Sequence, residues 1–369
     1  MKLTFWICLA LIAYTYFGYA LWLWCWTLRR RPRLLQAPSS MRVSIVIAAR
    51  NEAAVLPAKI QNLLQMDYPR EDMEIIIVSD GSTDNTADIL SKLTADVCPI
   101  ILDQSKGKAC ALNEGVKRAS GDLIVFLDAR QQIDLSAVTH LAACFADPTV
   151  GAVSGELLLD SADASNGEDG LGIYWRLEKM VRKLESATGS VIGVTGAIYA
   201  IRRDCYQELP AGTLLDDVLI PMQVARLGKR VLFQPLAIAR DRLFAAKGKE
   251  FSRKVRTLTG NYQLLRLAPW LLSPSNPLLF RFISHKLMRL VVPLLLILLF
   301  VASGLSHGGF YRVIFWLQVL FYAAAAMGHL VPSSAKYRPV AVANTFVMLN
   351  AAAAVAFYNF VAGRNNVWA

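Results

Sequence analysis

Apolar and polar positions along the chain fall into three regimes. Residues 4–26 form an unbroken uncharged run. About 20 apolar residues cross a bilayer as a helix, so the run predicts a membrane helix within residues 1–28. From residue 42 to about 246, short apolar bursts alternate with helically spaced ones. Strands are predicted over 42–49, 75–78, 97–102 and 123–127, and helices over 52–64 and 106–119. Strand and helix in alternation predict an α/β domain with a doubly wound parallel sheet. The run Leu123–Leu127, five apolar residues long, suits a strand buried on both faces. Beyond residue 131 the pattern predicts a helix over 137–145, a strand over 150–158 and a polar loop over 160–170. A helix over 174–185 follows, its alternating charges reading as a solvated face. Another helix opens at Leu214-Leu-Asp216-Asp217 and ends near Gly228, and a strand covers 229–234.

Residues 247–266 interleave Lys247, Lys249, Arg253, Lys254, Arg256 and Arg266 with Phe251, Val255, Leu258, Tyr262 and Leu265. This is the pattern of an interfacial amphipathic helix. Three apolar runs follow, over 290–305, 313–331 and 340–361, and each predicts a membrane helix. The expected layout is a membrane helix at 1–28, a basic linker at 29–41 and the α/β domain at 42–246. Interfacial helices at 247–286 and three membrane helices at 287–369 complete it. A cleaved signal peptide would have a shorter apolar core. Here Arg29, Arg30, Arg31 and Arg33 follow a Trp-rich end, which favours a retained helix. The positive-inside rule then places the domain in the cytoplasm of a bacterial-type inner membrane, with both termini outside.

Composition agrees: 55% hydrophobic and 18% charged residues suit a soluble domain joined to membrane helices. The net charge of +11 has no nucleic-acid motif beside it, so anionic headgroups and a phosphorylated substrate are its expected counterparts. The 6 cysteines are scattered without a Cys-x-x-Cys pair, as expected of reduced, buried thiols.

Candidate chemistry gathers where strands end. Asp80 and Asp128 close the second and fourth strands, and open α/β sheets bind ligands at carboxyl ends. Lys106 and Lys108 open a helix, whose free N–H groups suit a diphosphate. Carboxylates there suit a base edge, ribose hydroxyls or a divalent metal. Asp216 and Asp217 open a second helix, where a carboxylate suits a general base. His285, ahead of the second membrane helix, reads as interfacial structure.

These residues resemble a family. Ser44-Ile-Val-Ile-Ala-Ala-Arg-Asn51-Glu52, Ser79-Asp80-Gly-Ser-Thr-Asp84, Lys106-Gly-Lys-Ala-Cys-Ala-Leu-Asn113 and Phe126-Leu-Asp128-Ala-Arg130 look like processive-type family 2 glycosyltransferases. Thr195-Gly196, Asp216-Asp217 and Arg253-Lys-Val-Arg256 extend the likeness to the group that includes cellulose, chitin and hyaluronan synthases. The resemblance implies a GT-A fold, Rossmann-like, with flanking transmembrane helices. It implies inverting transfer from a nucleotide-diphosphate sugar, with UDP the expected nucleotide, to a growing polysaccharide or lipid-linked glycan. Asp217 would be the general base. Asp80, Lys108, Asp128, Arg130, Arg253 and Arg256 would contact the donor, and Thr195, Gly196 and Asp216 would line the acceptor side.

Two departures bear on chemistry. The family's Asp-x-Asp is here Asp128-Ala-Arg130. Arginine cannot coordinate a cation, so either another group completes a Mg2+ or Mn2+ site at Asp128, or Arg130 takes part of the metal's charge role. Thr257 stands where the family's basic motif commonly ends in Trp. The alternatives are single-sugar transfer to a polyprenyl phosphate carrier and a non-catalytic nucleotide-sugar-binding subunit of an export complex. A homo-oligomer or polysaccharide-export proteins are the expected partners, and nucleic acid is not.

Overall fold

The computed structural model describes residues 1–29, 35–38, 41–93, 97–160, 169–242 and 247–363. The basic residues 30–34 and most of the polar stretch 160–170 lie outside the described residues. In chain order the main elements are α1 Lys2–Arg29, β1 Val43–Ala49, α2 Leu56–Leu64, β2 Met73–Asp80, α3 Thr86–Ser91 and β3 Cys98–Leu102. Then come α4 Lys108–Arg118, β4 Leu123–Asp128, β5 Gln132–Ile133, α5 Ala137–Ala143, β6 Val150–Asp160 and α6 Asp169–Ala187. The remainder is β7 Ile198–Arg202, α7 Asp216–Arg226, β8 Arg230–Arg242, α8 Lys247–Leu267, α9 Leu279–Leu305, α10 Gly309–Leu330 and α11 Arg338–Val361.

The strands form one sheet in the order β3-β2-β1-β4-β7-β6-β8-β5. β1 to β4 are parallel, as their apolar runs predict. The second half is not: β7 runs antiparallel to both β4 and β6, β6 is parallel to β8, and β5 is antiparallel to β8. The sheet is therefore mixed rather than wholly parallel. The carboxyl ends of β2 and β4 still open toward one edge.

Alternate residues of each strand feed two apolar layers. Val43, Ile45 and Ile47 of β1 pack with Leu56, Ile60 and Leu141 on one face. Val46, Ile76, Val78, Ile124 and Phe126 pack with Leu112, Val218, Met222 and Leu264 on the other. Gly115 lets α4 lie close to the sheet, since a Cβ there would stand 2.5 Å from Val46 Cγ1. Full burial of each such aliphatic side chain contributes about 1.5–3 kcal/mol.

Among the described residues, four helices, α1, α9, α10 and α11, are long and apolar enough to cross a membrane. Residues 279–286, expected in the interfacial block, instead begin α9, through a π-helical turn at Ile283–Leu287. The reason is burial against protein: Arg281, Ser284 and His285 are all covered. The charges of α6 are also not a solvated face, because Glu178 and Glu185 are buried against α1 and α9. α8 is only partly interfacial: Leu264 joins the core, and Gln263 Oε1 accepts from Leu214 N–H at 2.9 Å. Tyr262 of α8 meets Phe357 and Phe360 in the last turns of α11, with ring centroids 5.7 and 5.4 Å apart.

Candidate active site

The site begins with a loop held by a carboxylate. Gly81, directly after β2, has φ +56°, and a Cβ there would fall 2.1 Å from Ser105 N. Bare backbone is required for that approach. It lets Asp80 grip the neighbouring loop: Oδ1 accepts from Lys106 N–H at 2.7 Å, and Oδ2 accepts from Gly107 N–H and Ser105 Oγ–H, both at 2.9 Å. Asp80 is buried, and its carboxylate is engaged by the protein itself. The gripped loop fixes the start of α4, whose first residue is Lys108.

Lys108 stands at the centre. Its Nζ lies 3.1 Å from Asp128 Oδ1, at the end of β4, and 3.3 Å from Asp216 Oδ2, at the start of α7. Burial alone would lower the ammonium's pKa, but Asp128, Asp216 and Asp217 outweigh that and raise it. Lys108 is therefore a permanent cation. Asp217 is its counterpart: burial, then the neighbouring Asp216, push its pKa up to about 6, against the charges of Lys286, Lys108 and Arg182. A carboxylate poised near neutrality suits proton abstraction.

The predicted acceptor segment comes to the same place. Val194 N–H donates to the Asp217 carbonyl at 2.8 Å, and Thr195 N–H donates to Ser154 Oγ at 3.0 Å. A Cβ on Gly196 would stand 3.8 Å from Lys108 Nζ and 4.0 Å from Asp217 Oδ2. Gly196 thus presents bare backbone between cation and carboxylate. Asp128, Lys108, Asp216, Asp217, Thr195 and Gly196 form one group, with Asp80 behind it through the loop.

Arg130 goes elsewhere. Its Nη2 donates to Asp241 Oδ2 at 2.6 Å and its Nε to Oδ1 at 3.3 Å, and Gln131 Nε2 shares that carboxylate at 3.0 Å. The guanidinium is committed to a bidentate ion pair with β8. Arg253 and Arg256 are exposed on α8, and no described contact brings them to Lys108 or Asp128. Thr257 Oγ1 turns back to the Arg253 carbonyl at 3.0 Å.

Several contributors carry no sequence signal of their own. Lys59 is buried on α2 and donates to the Gln131 carbonyl at 2.7 Å. Burial lowers its pKa to about 7, with the charge of Asp128 opposing. Asn62 hydrogen-bonds both backbone groups of Ile133, at 2.9 and 2.8 Å, so α2 clamps the turn after Asp128. Tyr199 is buried and stacks on Phe126 at 4.8 Å. Its hydroxyl has no hydrogen-bond partner among the described residues, and burial, then Asp216, raise its pKa. Helical periodicity marks Lys59 only as polar, and the Asp241 partner of Arg130 is 111 residues away.

Among the described residues, no set of three or more His, Cys, Asp or Glu side chains converges as a metal cage. Asp128 Oδ2 accepts no hydrogen bond from a described residue, whereas Oδ1 is held by Lys108. One free carboxylate oxygen fits a divalent cation that draws its other ligands from substrate phosphates and water.

Residues 44–210 match the family model described as Glycosyl transferase family 2. Poly-beta-1,6-N-acetyl-D-glucosamine synthases of Staphylococcus aureus are 27% identical over 229 residues, covering 60% of this chain and 55% of theirs. The synthase of Staphylococcus epidermidis is 25% identical over 234 residues, covering 62% and 56%. The chain thus spans about half the length of the curated relatives it matches. A solved mannosyltransferase from Pyrobaculum calidifontis, in complex with GDP-Man and Mn2+, superposes with a TM-score of 0.71 at 21% identity. The superposition covers 97% of this chain and 99% of that one, and establishes a shared GT-A fold.

Proposed function

We propose that this chain, which carries a family 2 glycosyltransferase domain over residues 44–210, is a membrane-bound inverting glycosyltransferase. Its donor is a nucleotide-diphosphate sugar, a UDP-sugar in this reading, and its acceptor a growing polysaccharide or lipid-linked glycan. The observation that carries the reading is the Asp217 carboxyl, poised at about pH 6 across Gly196 from the fixed cation of Lys108.

Asp217 takes the proton from an acceptor hydroxyl. The oxygen forms a bond to the anomeric carbon while the bond from that carbon to the diphosphate oxygen breaks on the opposite face. The electron pair leaves with the nucleotide diphosphate. Lys108 lies beside that developing charge and stabilises it without reorganising. Asp128 orients the ribose and diphosphate end of the donor. Asp80 shapes the nucleoside end through the 105–107 loop. Arg253 and Arg256 add positive charge from α8. A Mg2+ or Mn2+ ion at Asp128 would neutralise the diphosphate. Thr195, Gly196 and Asp216 border the acceptor. Arg130, tied to Asp241, braces the turn after β4.

The domain belongs on the cytoplasmic side of the membrane, where nucleotide sugars are made. The test is stereochemical. Purified protein in detergent, given UDP- and GDP-sugars with Mg2+, Mn2+ or EDTA, should yield a β-linked product from an α-linked donor, read by NMR. An α-linked product would overturn single-displacement inversion.

A further inference from the structure

One ammonium bridges two carboxylates from different parts of the chain. Lys108 Nζ stands 3.1 Å from Asp128 Oδ1, at the end of β4, and 3.3 Å from Asp216 Oδ2, at the start of α7. Asp217 follows Asp216 on α7. A Cβ on Gly196 would stand 3.8 Å from Nζ and 4.0 Å from Asp217 Oδ2. The fold holds the ammonium in place. Lys108 is the first residue of α4, and Ala109 and Ala111 bury that helix in the core. The two residues before it are latched to Asp80 through their N–H groups, at 2.7 and 2.9 Å. Only 25% of the Lys108 side chain is exposed.

A divalent ion shared by Asp128 and Asp216 would need the point that Nζ holds, because its bonds to oxygen are shorter still, about 2.0–2.1 Å for Mg2+. Bound to the free Asp128 Oδ2 alone, the ion would sit beside a fixed like charge. Coulomb repulsion at such separations is strong wherever water is partly excluded. Among the described residues no cage of three or more ligating side chains is present to offset it. Arg130, which stands where a second carboxylate would follow Asp128, is bound to Asp241 at 2.6 Å and adds no ligand. A diphosphate changes the balance, because its own charges are shared between ammonium and metal.

We propose that Lys108 is a resident cation that keeps divalent metal out of the Asp128–Asp216 pair while the donor is absent. The proposal rests on the transferase reading only for the place of a metal at Asp128. It gives Lys108 a selecting role besides its action on the leaving group: the donor-free site is closed to a bare ion. The ammonium also keeps Asp128 and Asp216 paired, so neither carboxylate is left buried without a counter-charge.

The test measures metal binding with no donor present. Full-length protein in detergent, stripped of metal, is titrated with Mn2+ alone, and the free ion is followed by electron paramagnetic resonance. Lys108→Met should bind Mn2+ about tenfold or more tighter than wild type. Lys108→Arg, which keeps the charge, should bind as weakly as wild type. Adding Asp128→Asn to Lys108→Met should erase the gain. The melting temperature supplies a second reading: Mn2+ should raise it for Lys108→Met by mass action, and by less for wild type. Where the Met variant does not fold, Lys108→Gln carries the same comparison. Wild type binding Mn2+ as tightly as the uncharged variant would overturn the proposal. So would a gain shared by Lys108→Arg, because charge would not be its cause, or a gain that survives Asp128→Asn, because the ion would sit elsewhere. A product of retained configuration would contradict the transferase reading and leave this result standing, and failure here would leave that reading in place.

Discussion

Two buried ionic groups in this molecule each set carboxylates against cations and reach opposite states. At the strand ends, Lys108 faces Asp128 and Asp216, and Asp217 stands beside them with its pKa raised to about 6. Where the domain meets the helices, Glu185 of α6 is saturated. Its carboxylate accepts from Tyr19 Oη at 2.6 Å and from Ile192 N–H at 3.4 Å, and pairs with His285 Nδ1 at 2.9 Å. Arg281 binds the carbonyls of Glu185, Ser190 and Thr188 at 2.8, 2.6 and 2.9 Å. Burial would raise Glu185, but His285 and then Tyr19 and Arg281 overcome it and hold the carboxyl below its usual range. One group has its bonds completed and joins elements together. The other keeps a carboxylate that gains by taking a proton. Burial is common to both, and the supply of partners decides between structure and chemistry.

Substitutions should therefore separate the two groups. The largest effect belongs to Asp217→Asn, expected to lower turnover by about 10²–10⁴-fold with nucleotide binding retained, measured by donor consumption and calorimetry. The same change should not destabilise the fold. The folded pKa of Asp217 lies above its ordinary 3.8, so its contribution to stability is present at low pH and is lost as pH rises through about 6. At pH 7 the neutral amide removes that cost, and Tm should hold or rise. Glu185→Gln should do the reverse. Removing one partner of a buried pair costs about 3–5 kcal/mol, so Tm should fall while nucleotide binding survives in the folded fraction. An unchanged Tm would contradict the structural role given to this group.

Lys59→Met sharpens the comparison at smaller scale, because Lys59 is buried with a single hydrogen-bond partner among the described residues, the Gln131 carbonyl. Its folded pKa of about 7 lies below its ordinary 10.5, so the unfolded chain binds more protons between those values. Wild-type stability should rise with pH across that window, and the variant should lose that slope, as denaturant midpoints would show.

The strand-end group was largely legible before the structure. Its members sit where continuous apolar runs stop, and Leu123–Leu127 ending at Asp128 is the plainest case. The parallel half of the sheet was legible for the same reason, because buried parallel strands are apolar throughout. The reversal at β7 was not, since a run of five residues carries no mark of its direction. The helix-junction group was invisible. Alternating charge at helical spacing reads identically whether water or a buried partner receives it, and Tyr19 and Glu185 are 166 residues apart. Arg130 shows the same limit: its place in the motif suggested a donor contact, and its ion-pair partner Asp241 lies at the end of a strand whose full length the pattern did not reveal.

The most direct test of the central claim is the pH dependence of kcat/KM for sugar transfer, which reports the ionisation of the free enzyme. A base at Asp217 with a pKa of about 6 predicts a rate that falls tenfold per pH unit below that value and levels off above it. A profile flat down to the ordinary carboxylate range would show that Asp217 is not the poised base, and that the strand-end group is as structural as its counterpart.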